Sequence, residues 1–441
     1  MKLFHPLRIY SKINKGCHAE RQRSISLTGE AEGFFFRQGG IRMTARKHHQ
    51  FFDHALKAFY FSIMAVISSA LFAQDQIEIV KPGGKISIAV SPLSGAAGTE
   101  ATSILSSDLE RSGWFKVVAS GGAWSVQGSA SASAVQCNVT KNDGTSVLKA
   151  NGGGSLRRAA HQVTDAIVEK ITGKKGIAQT HIAFISDKSG NKELYVMDYD
   201  GFNVKRFTSD KSIAGSPDFN RQGTKIAYTS YRSGYPDVYV SDYPSGSRQV
   251  VSRYPGLNSG ASFSPNGAQI ALTLSKDGNP ELYTMSAGGV GLKRLTRTRG
   301  GESSPTWSPD GSQIAYASDQ GGRPQIYIIS SSGGSGSQLT TSPAYNTEPD
   351  WSPDGALIAY SSLVGGNFAV SVIDPAGGGG KVLYSNGKCE DPSWAPDGRH
   401  LVFARGAGGS SDLYILDTLT KEATQLSRDF GNCTEPSWSG R

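Results

Sequence analysis

Ser304-Pro305-Thr306-Trp307-Ser308-Pro309-Asp310-Gly311-Ser312-Gln313-Ile314-Ala315-Tyr316-Ala317-Ser318-Asp319 decides the fold, because the chain writes this sentence repeatedly with substitutions. SPDFNRQGTKIAYTS starts at Ser216, GASFSPNGAQIALTLS at Gly260, PDWSPDGALIAYSS at Pro349, PSWAPDGRHLVFAR at Pro392, and a clipped PSWSGR at Pro436. The aromatic positions are Phe219, Phe263, Trp307, Trp351, Trp394 and Trp438, spaced 44, 44, 44, 43 and 44 residues apart. Self-similarity at such a period marks a repeat architecture.

Each copy has one physical layout. A short strand around the aromatic ends in S-P-D-G, where Pro presets φ and Gly accepts positive φ for a tight turn. An apolar strand follows (Ile314-Ala315-Tyr316), then a polar turn at Gln320-Gly321-Gly322. Gln325-Ile326-Tyr327-Ile328 alternates as a third strand, and a fourth ends near Gln338-Leu339-Thr340. Four antiparallel strands in about 44 residues make a propeller blade.

The ends of the repeat region set the blade count. His181-Ile182-Ala183-Phe184 is a second strand with no aromatic strand before it, and Pro436-Ser437-Trp438-Ser439 is a first strand with nothing after it. Joined, they make one blade and remove a free sheet edge. The expectation is a mainly β chain with a six-bladed β-propeller over 178–441, closed by a C-terminal strand. A seven-bladed ring and an open solenoid are the alternatives.

A small α/β domain is expected over 74–177. Lys85–Val90 reads as a strand, and Thr99–Phe115 as an amphipathic helix with Ile104, Leu105, Leu109 and Trp114 near one face. The Gly/Ser/Ala-rich stretch Gly121–Ser133 reads as a loop. Lys141-Asn142-Asp143-Gly144 signals a hairpin between Ala134–Val139 and Val147–Ala150. Leu156–Ile171 repeats Ala160, Val163, Ile167 and Ile171 at helical spacing, with Gly173 as its C-cap.

Residues 58–73 (AFYFSIMAVISSALFA) carry no charge and follow Arg46, Lys47 and Lys57. A basic stretch, a short apolar run and small residues at its end describe a secretory signal, with cleavage expected at Ala73 or Ala70. An uncleaved anchor is the alternative, but 16 residues fall short of the roughly 20 that span a bilayer. Residues 1–42 lack periodicity, and translation is expected to start at Met43. The formal charge of +8 is concentrated here: 11 Lys/Arg against 4 Asp/Glu in residues 1–73 give +7. The remaining chain is nearly neutral, which excludes a polyanion-binding footprint.

Chemistry-bearing motifs are sparse. Four cysteines exclude a disulfide scaffold and a Cys-rich metal array. His181 and His400 share a repeat position with Lys225, Gln269, Gln313 and Leu357, so that position reads as an ordinary strand site. His161 lies on the second helix with no partner evident in the sequence. H-E-x-x-H, G-x-x-x-x-G-K-[ST] and G-x-S-x-G are absent. No catalytic residue, metal or cofactor is expected. Glu302, Glu348, Glu390 with Asp391, and Glu435 recur ahead of the aromatic strands. They read as a recognition rim around one mouth of the channel, as a cation site, or as solvated turn residues. Cys389 and Cys433, 44 residues apart, occupy equivalent places on adjacent blades, and a disulfide between them is one alternative.

Several runs resemble one family. Leu156-Arg157-Arg158-Ala159-Ala160-His161 through Glu169-Lys170-Ile171-Thr172-Gly173 is similar to the L-R-x-x-x-H … E-K-L-T-G helix of the TolB family, periplasmic propellers of the Tol-Pal envelope system. Asp198-Tyr199-Asp200-Gly201-Phe202-Asn203 resembles its D-Y-D-G-Y-N. Ser318-Asp319-Gln320-Gly321-Gly322-Arg323-Pro324-Gln325 resembles its S-D-Q-x-G-R-P-Q. The resemblance implies a binding protein that docks the lipoprotein Pal on a propeller mouth. By position it places that face on Asn258, Ser259, Gly260, Ser303, Ser304, Thr347, Glu348, Glu390, Thr434 and Glu435. Leu257 stands where the family often has His, and Ser303-Ser304 replaces Thr-Glu. The segment Gln76-Ile77-Glu78-Ile79-Val80 resembles the extreme N-terminal strand that engages TolA. A propeller attached to a serine peptidase, and a recognition propeller with another ligand, are the remaining readings.

Overall fold

Residues 84–341 and 344–440 are described by the computed structural model. The secretory segment 58–73, Met43 and the strand 76–80 lie outside them. Among the described residues, no helix is long and apolar enough to cross a membrane.

The N-terminal unit is a five-stranded sheet in the order Phe115–Val118, Ile86–Val90, Trp124–Ser131, Ala134–Lys141, Ser146–Gly153. Ile86–Val90 pairs in parallel with both of its neighbours, and the rest of the sheet is antiparallel. Helices Gly98–Arg111 and Leu156–Thr172 bury their apolar stripes in one core with the sheet, around Ile88, Leu105, Leu109, Phe115, Val126, Val139, Val163 and Ile167. The second helix has the ends its sequence signals. Ser155 caps it through Arg158 N–H, and Gly173 terminates it at φ +68° in the left-handed region.

Two expectations are corrected here. Trp124–Ser131 is a strand within the sheet, not a loop. Its Gly, Ser and Ala residues have weak strand preference, but paired strands on both sides satisfy its backbone and Val126 and Ala130 are buried. The first helix stops at Arg111, before Trp114 and Phe115. Ser112 turns its hydroxyl back onto Leu109 O at 2.6 Å, and Gly113 at φ +74° redirects the chain into the next strand.

Six four-stranded antiparallel sheets follow, one per blade. The S-P-D-G turn is held by its own side chains. Ser308 Oγ donates to Asp310 Oδ1 at 2.6 Å and accepts from Gln313 N–H at 2.9 Å, while Gly311 takes φ +73°. The last blade joins both ends of the repeat region. Cys433–Trp438 pairs antiparallel with His181–Ser186, Trp438 opposite Ile182 and Cys433 opposite Ser186. The ring therefore closes through the C-terminal strand, as the complementary fragments require.

Strand alternation fixes which loops share a face. The entry to each innermost strand and the hairpin between second and third strands lie on one face; the S-P-D-G turns lie on the other. The α/β unit makes its contacts on the S-P-D-G face. There Arg399 donates to Gly113 O at 2.8 Å, pairs with Asp417 at 2.6 Å and stacks over Trp114 at 4.5 Å.

Candidate partner-binding mouth

Each innermost strand is broken by a bulge at the third residue before its aromatic. Those residues are Ser216, Gly260, Ser304, Glu348, Asp391 and Glu435, and all six have positive φ, from +49° to +61°. Of nine non-glycine residues with positive φ among those described, five belong to this one ring. A proline follows in every blade except at Ala261. Non-glycine residues held this way cost about 1–3 kcal/mol each and persist where the surroundings over-determine them.

The surroundings here are the neighbouring blades. The residue just before the aromatic accepts a hydrogen bond from the next blade's aromatic N–H. Phe263 N donates to Asp218 at 2.7 Å, Trp351 N to Thr306 at 3.3 Å, and Trp394 N to Asp350 at 2.6 Å. Trp438 N donates to Ser393 at 3.1 Å and Phe219 N to Ser437 at 2.9 Å, the latter carrying the belt across the chain ends. The bulge residues form a second belt on the acidic side. Asp391 N donates to Glu348 at 3.1 Å, Glu435 N to Asp391 at 3.2 Å, and Ser216 N to Glu435 at 2.5 Å.

The mouth is therefore asymmetric. Glu348, Asp391 and Glu435 line one half, and Ser216, Gly260 and Ser304 the other, around a shallow cavity of about 150 Å³. Burial in the channel raises the Asp391 carboxyl well above its ordinary range, with Glu348 and Glu435 adding repulsion. Burial likewise raises Glu435. Deeper in, burial pushes Asp218 up to about 8 and Asp350 up to about 6. On the same face, Tyr235 is 76% exposed and Ile213 52%, with Tyr231, Tyr345 and Val364 also exposed. Exposed aromatic and aliphatic groups around a polar depression are usual for a protein-docking surface.

Several expected rim residues have other places. Gly260, Ser304, Glu348 and Glu435 line the cavity, together with Ser216 and Asp391. Ser259, Ser303, Thr347, Glu390 and Thr434 each stand one residue earlier on their strands, and Glu390 pairs with Lys388 at 2.7 Å. Asn258 is buried at the entry to its strand, its amide occupied by Tyr254 O, Gly256 O, Ser252 and Tyr254 N–H. Glu302 holds the matching position and is buried as well, so it is not part of the rim. The in-phase acid is Asp391. Its signal was available in the sequence: it alone of the pair Glu390-Asp391 stands three residues before the Trp.

Cys389 and Cys433 are free, as is Cys137. Both point into their blades toward preceding carbonyls, and burial pushes each thiol up to about 11. His161 does have partners, contrary to the sequence reading. Its Nδ1 lies 2.7 Å from Asp108 Oδ2 and its Nε2 3.7 Å from Asp200 Oδ2.

Residues 168–441 match the family described as TolB beta propeller domain. The Tol-Pal system protein TolB of Geobacter sulfurreducens is 50% identical over 68 residues, 15% of this chain and 16% of that protein. The TolB of Nitrosospira multiformis is 32% identical over 214 residues, 41% of this chain and 48% of the relative. These alignments thus span less than half the length of either curated relative. The crystal structure of TolB from Acinetobacter baumannii superposes over 82% of this chain and 98% of its own, with a TM-score of 0.73 and 28% identity. The matched family region covers more than half of the chain, and the chain belongs to the TolB beta-propeller family.

Proposed function

We propose that this chain is a non-enzymatic periplasmic component of a Tol-Pal envelope system, docking the lipoprotein Pal on the bulged mouth. Its N-terminal segment Gln76–Val80 engages TolA by adding a strand to a sheet edge. In this role the protein supports outer-membrane integrity and constriction at division. The observation that carries the reading is the ring of positive-φ residues on the face with the exposed tyrosines. A shallow 150 Å³ depression suits a protruding protein segment better than an enclosed small substrate. The family match and the Tol-Pal names of the relatives support the partner class.

Binding of the purified protein to the periplasmic domain of Pal tests this. Gly260→Arg places bulk in the depression: an added Cβ has no neighbour nearer than 3.8 Å, and the positive φ of +61° adds some backbone strain. It should weaken binding largely independently of salt. Glu348→Lys should slow association about tenfold and change its salt dependence. Asp310→Lys on the opposite face should bind like the parent. Loss of binding by the opposite-face variant alone would overturn the assignment.

A further inference from the structure

Across the boundary between the α/β unit and the closing blade, one buried imidazole meets acids from both sides. His161 comes from the second helix and is 4% exposed. Its Nδ1 is 2.7 Å from Asp108 Oδ2, on the first helix of the same unit. Asp108 also accepts from Thr164 at 3.3 Å and from the Tyr199 hydroxyl at 2.6 Å, the latter reaching over from the blade. The opposite nitrogen, Nε2, is buried, has no hydrogen bond, and faces Asp200 Oδ2 at 3.7 Å. Asp200 belongs to the turn after strand Glu193–Asp198 and is also paired with Arg157.

A neutral ring that gives its Nδ1 proton to Asp108 turns a lone pair toward the Asp200 carboxylate, which is repulsive. A protonated ring donates Nδ1–H to Asp108 and faces Asp200 with a positive Nε2–H at 3.7 Å, so it joins a carboxylate of each unit by one charge-assisted hydrogen bond and one ion pair. A metal ion is the competing occupant, since Asp108, His161 and Asp200 offer three ligand atoms within 4.8 Å of one another. Arg157 disfavours it: its guanidinium already occupies the Asp200 oxygen nearest the ring, and a second cation there would meet direct repulsion.

We propose that His161 is a protonation-dependent latch between the α/β unit and the closing blade, engaged when the ring is charged and released when it is neutral. The titratable groups that act on it are Asp108 from the first helix and Asp198, Asp200 and His181 from the blade, with Arg157 of its own helix paired to Asp200; Arg111 acts on the neighbouring Tyr199, and Arg158 and Lys205 on His181. Burial opposes protonation, but the Asp108 hydrogen bond and the charges of Asp108, Asp200 and Asp198 outweigh it, raising the ring above its ordinary 6.5. A group raised on folding contributes fully below its unfolded value and loses that contribution as pH rises through the folded value. The latch is therefore fully closed below about pH 6.5 and opens as pH rises through the ring's higher value in the folded protein. Other ties remain throughout. Asp165 accepts from Ala178 N–H and Gln179 N–H, and Arg399 holds Gly113 O. Release therefore loosens the boundary without separating the units.

Amide hydrogen exchange on the whole protein, corrected for intrinsic rate, tests this between roughly pH 6 and pH 9. Protection of residues 157–168 and 198–203 should fall by up to tenfold per pH unit across the titration of His161. His161→Gln should flatten that profile. Asp200→Asn keeps the imidazole and Asp108 but removes the facing anion, so its step should move to lower pH, and the His161 ring resonance should titrate with it. A pH-independent profile in the parent, an unchanged slope in His161→Gln, or an unmoved step in Asp200→Asn would each overturn the proposal.

Discussion

Glu302 and Asn346 occupy the same place on successive blades, and so do the residues they face, Glu281 and Gln325. The amide pair satisfies itself: Asn346 Nδ2 donates to Gln325 Oε1 at 2.8 Å. Two carboxylates cannot do this unless one keeps a proton. Glu281 Oε1 takes Arg294 and Thr298 N–H, while its Oε2 is buried without another donor. Burial, helped by its pairing with Glu281, pushes Glu302 up to about 7, so below that pH it keeps a proton and supplies the missing donor. The stability this adds is complete below the ordinary glutamate value of 4.5 and is lost as pH rises through about 7. Glu302→Gln should make the unfolding free energy from urea denaturation flat between about pH 5 and 8, where the parent's declines by about 1–2 kcal/mol. The shift of Glu281 runs the other way and acts below about pH 4.5, outside this range. A parent midpoint that does not fall across that range would refute the shared proton. None of this was legible in the sequence, where Glu302 resembled a rim acid. Only the register, which puts it five residues before Trp307 instead of three, separates it from Glu348.

At the scale of the element, the bulged inner strand is where local preference and tertiary demand disagree. Ser304 sits at φ +52°, and Gly260 takes +61° at the equivalent position one blade earlier. Left-handed backbone costs a Cβ-bearing residue roughly 1–2 kcal/mol, and glycine little. Ser304→Gly should therefore raise stability by about 1 kcal/mol, and Gly260→Ala should lower it by a similar amount, in equilibrium denaturation. Equal and opposite shifts would show that the blade closure imposes this conformation; no change in either would show that the bulge relaxes freely. The strands themselves were legible, because a 44-residue period and an S-P-D-G turn are local signals. The strand Trp124–Ser131 was not, since its composition argues for a loop and its pairing partners decide otherwise. The same holds for His161. Asp108 lies 53 residues before it, and Asp200 belongs to another unit, so no spacing rule connects them.

For the whole molecule, closure rests on one short strand. Cys433–Trp438 covers the inner edge of His181–Ser186, and Ser437 takes the Phe219 N–H that continues the inter-blade belt. Trp438 is buried among Ile182, Ala395 and Val402, and its indole N–H donates to Thr180 at 2.7 Å. Losing such a side chain costs about 3–5 kcal/mol by itself, a large share of a marginal total. Deleting residues 434–441 removes that tryptophan and unpairs the edge of His181–Ser186. It also leaves Phe219 N–H and Ser216 N–H without their acceptors, Ser437 and Glu435. Because each blade is packed against two others, the ring should stop unfolding as one unit, the closing blade melting ahead of the rest. Calorimetry should then show a lower and broader transition than the parent's, and exchange protection should be lost first in 181–206. An unchanged single transition in the truncated protein would mean that the closing strand is not what makes the ring cooperative.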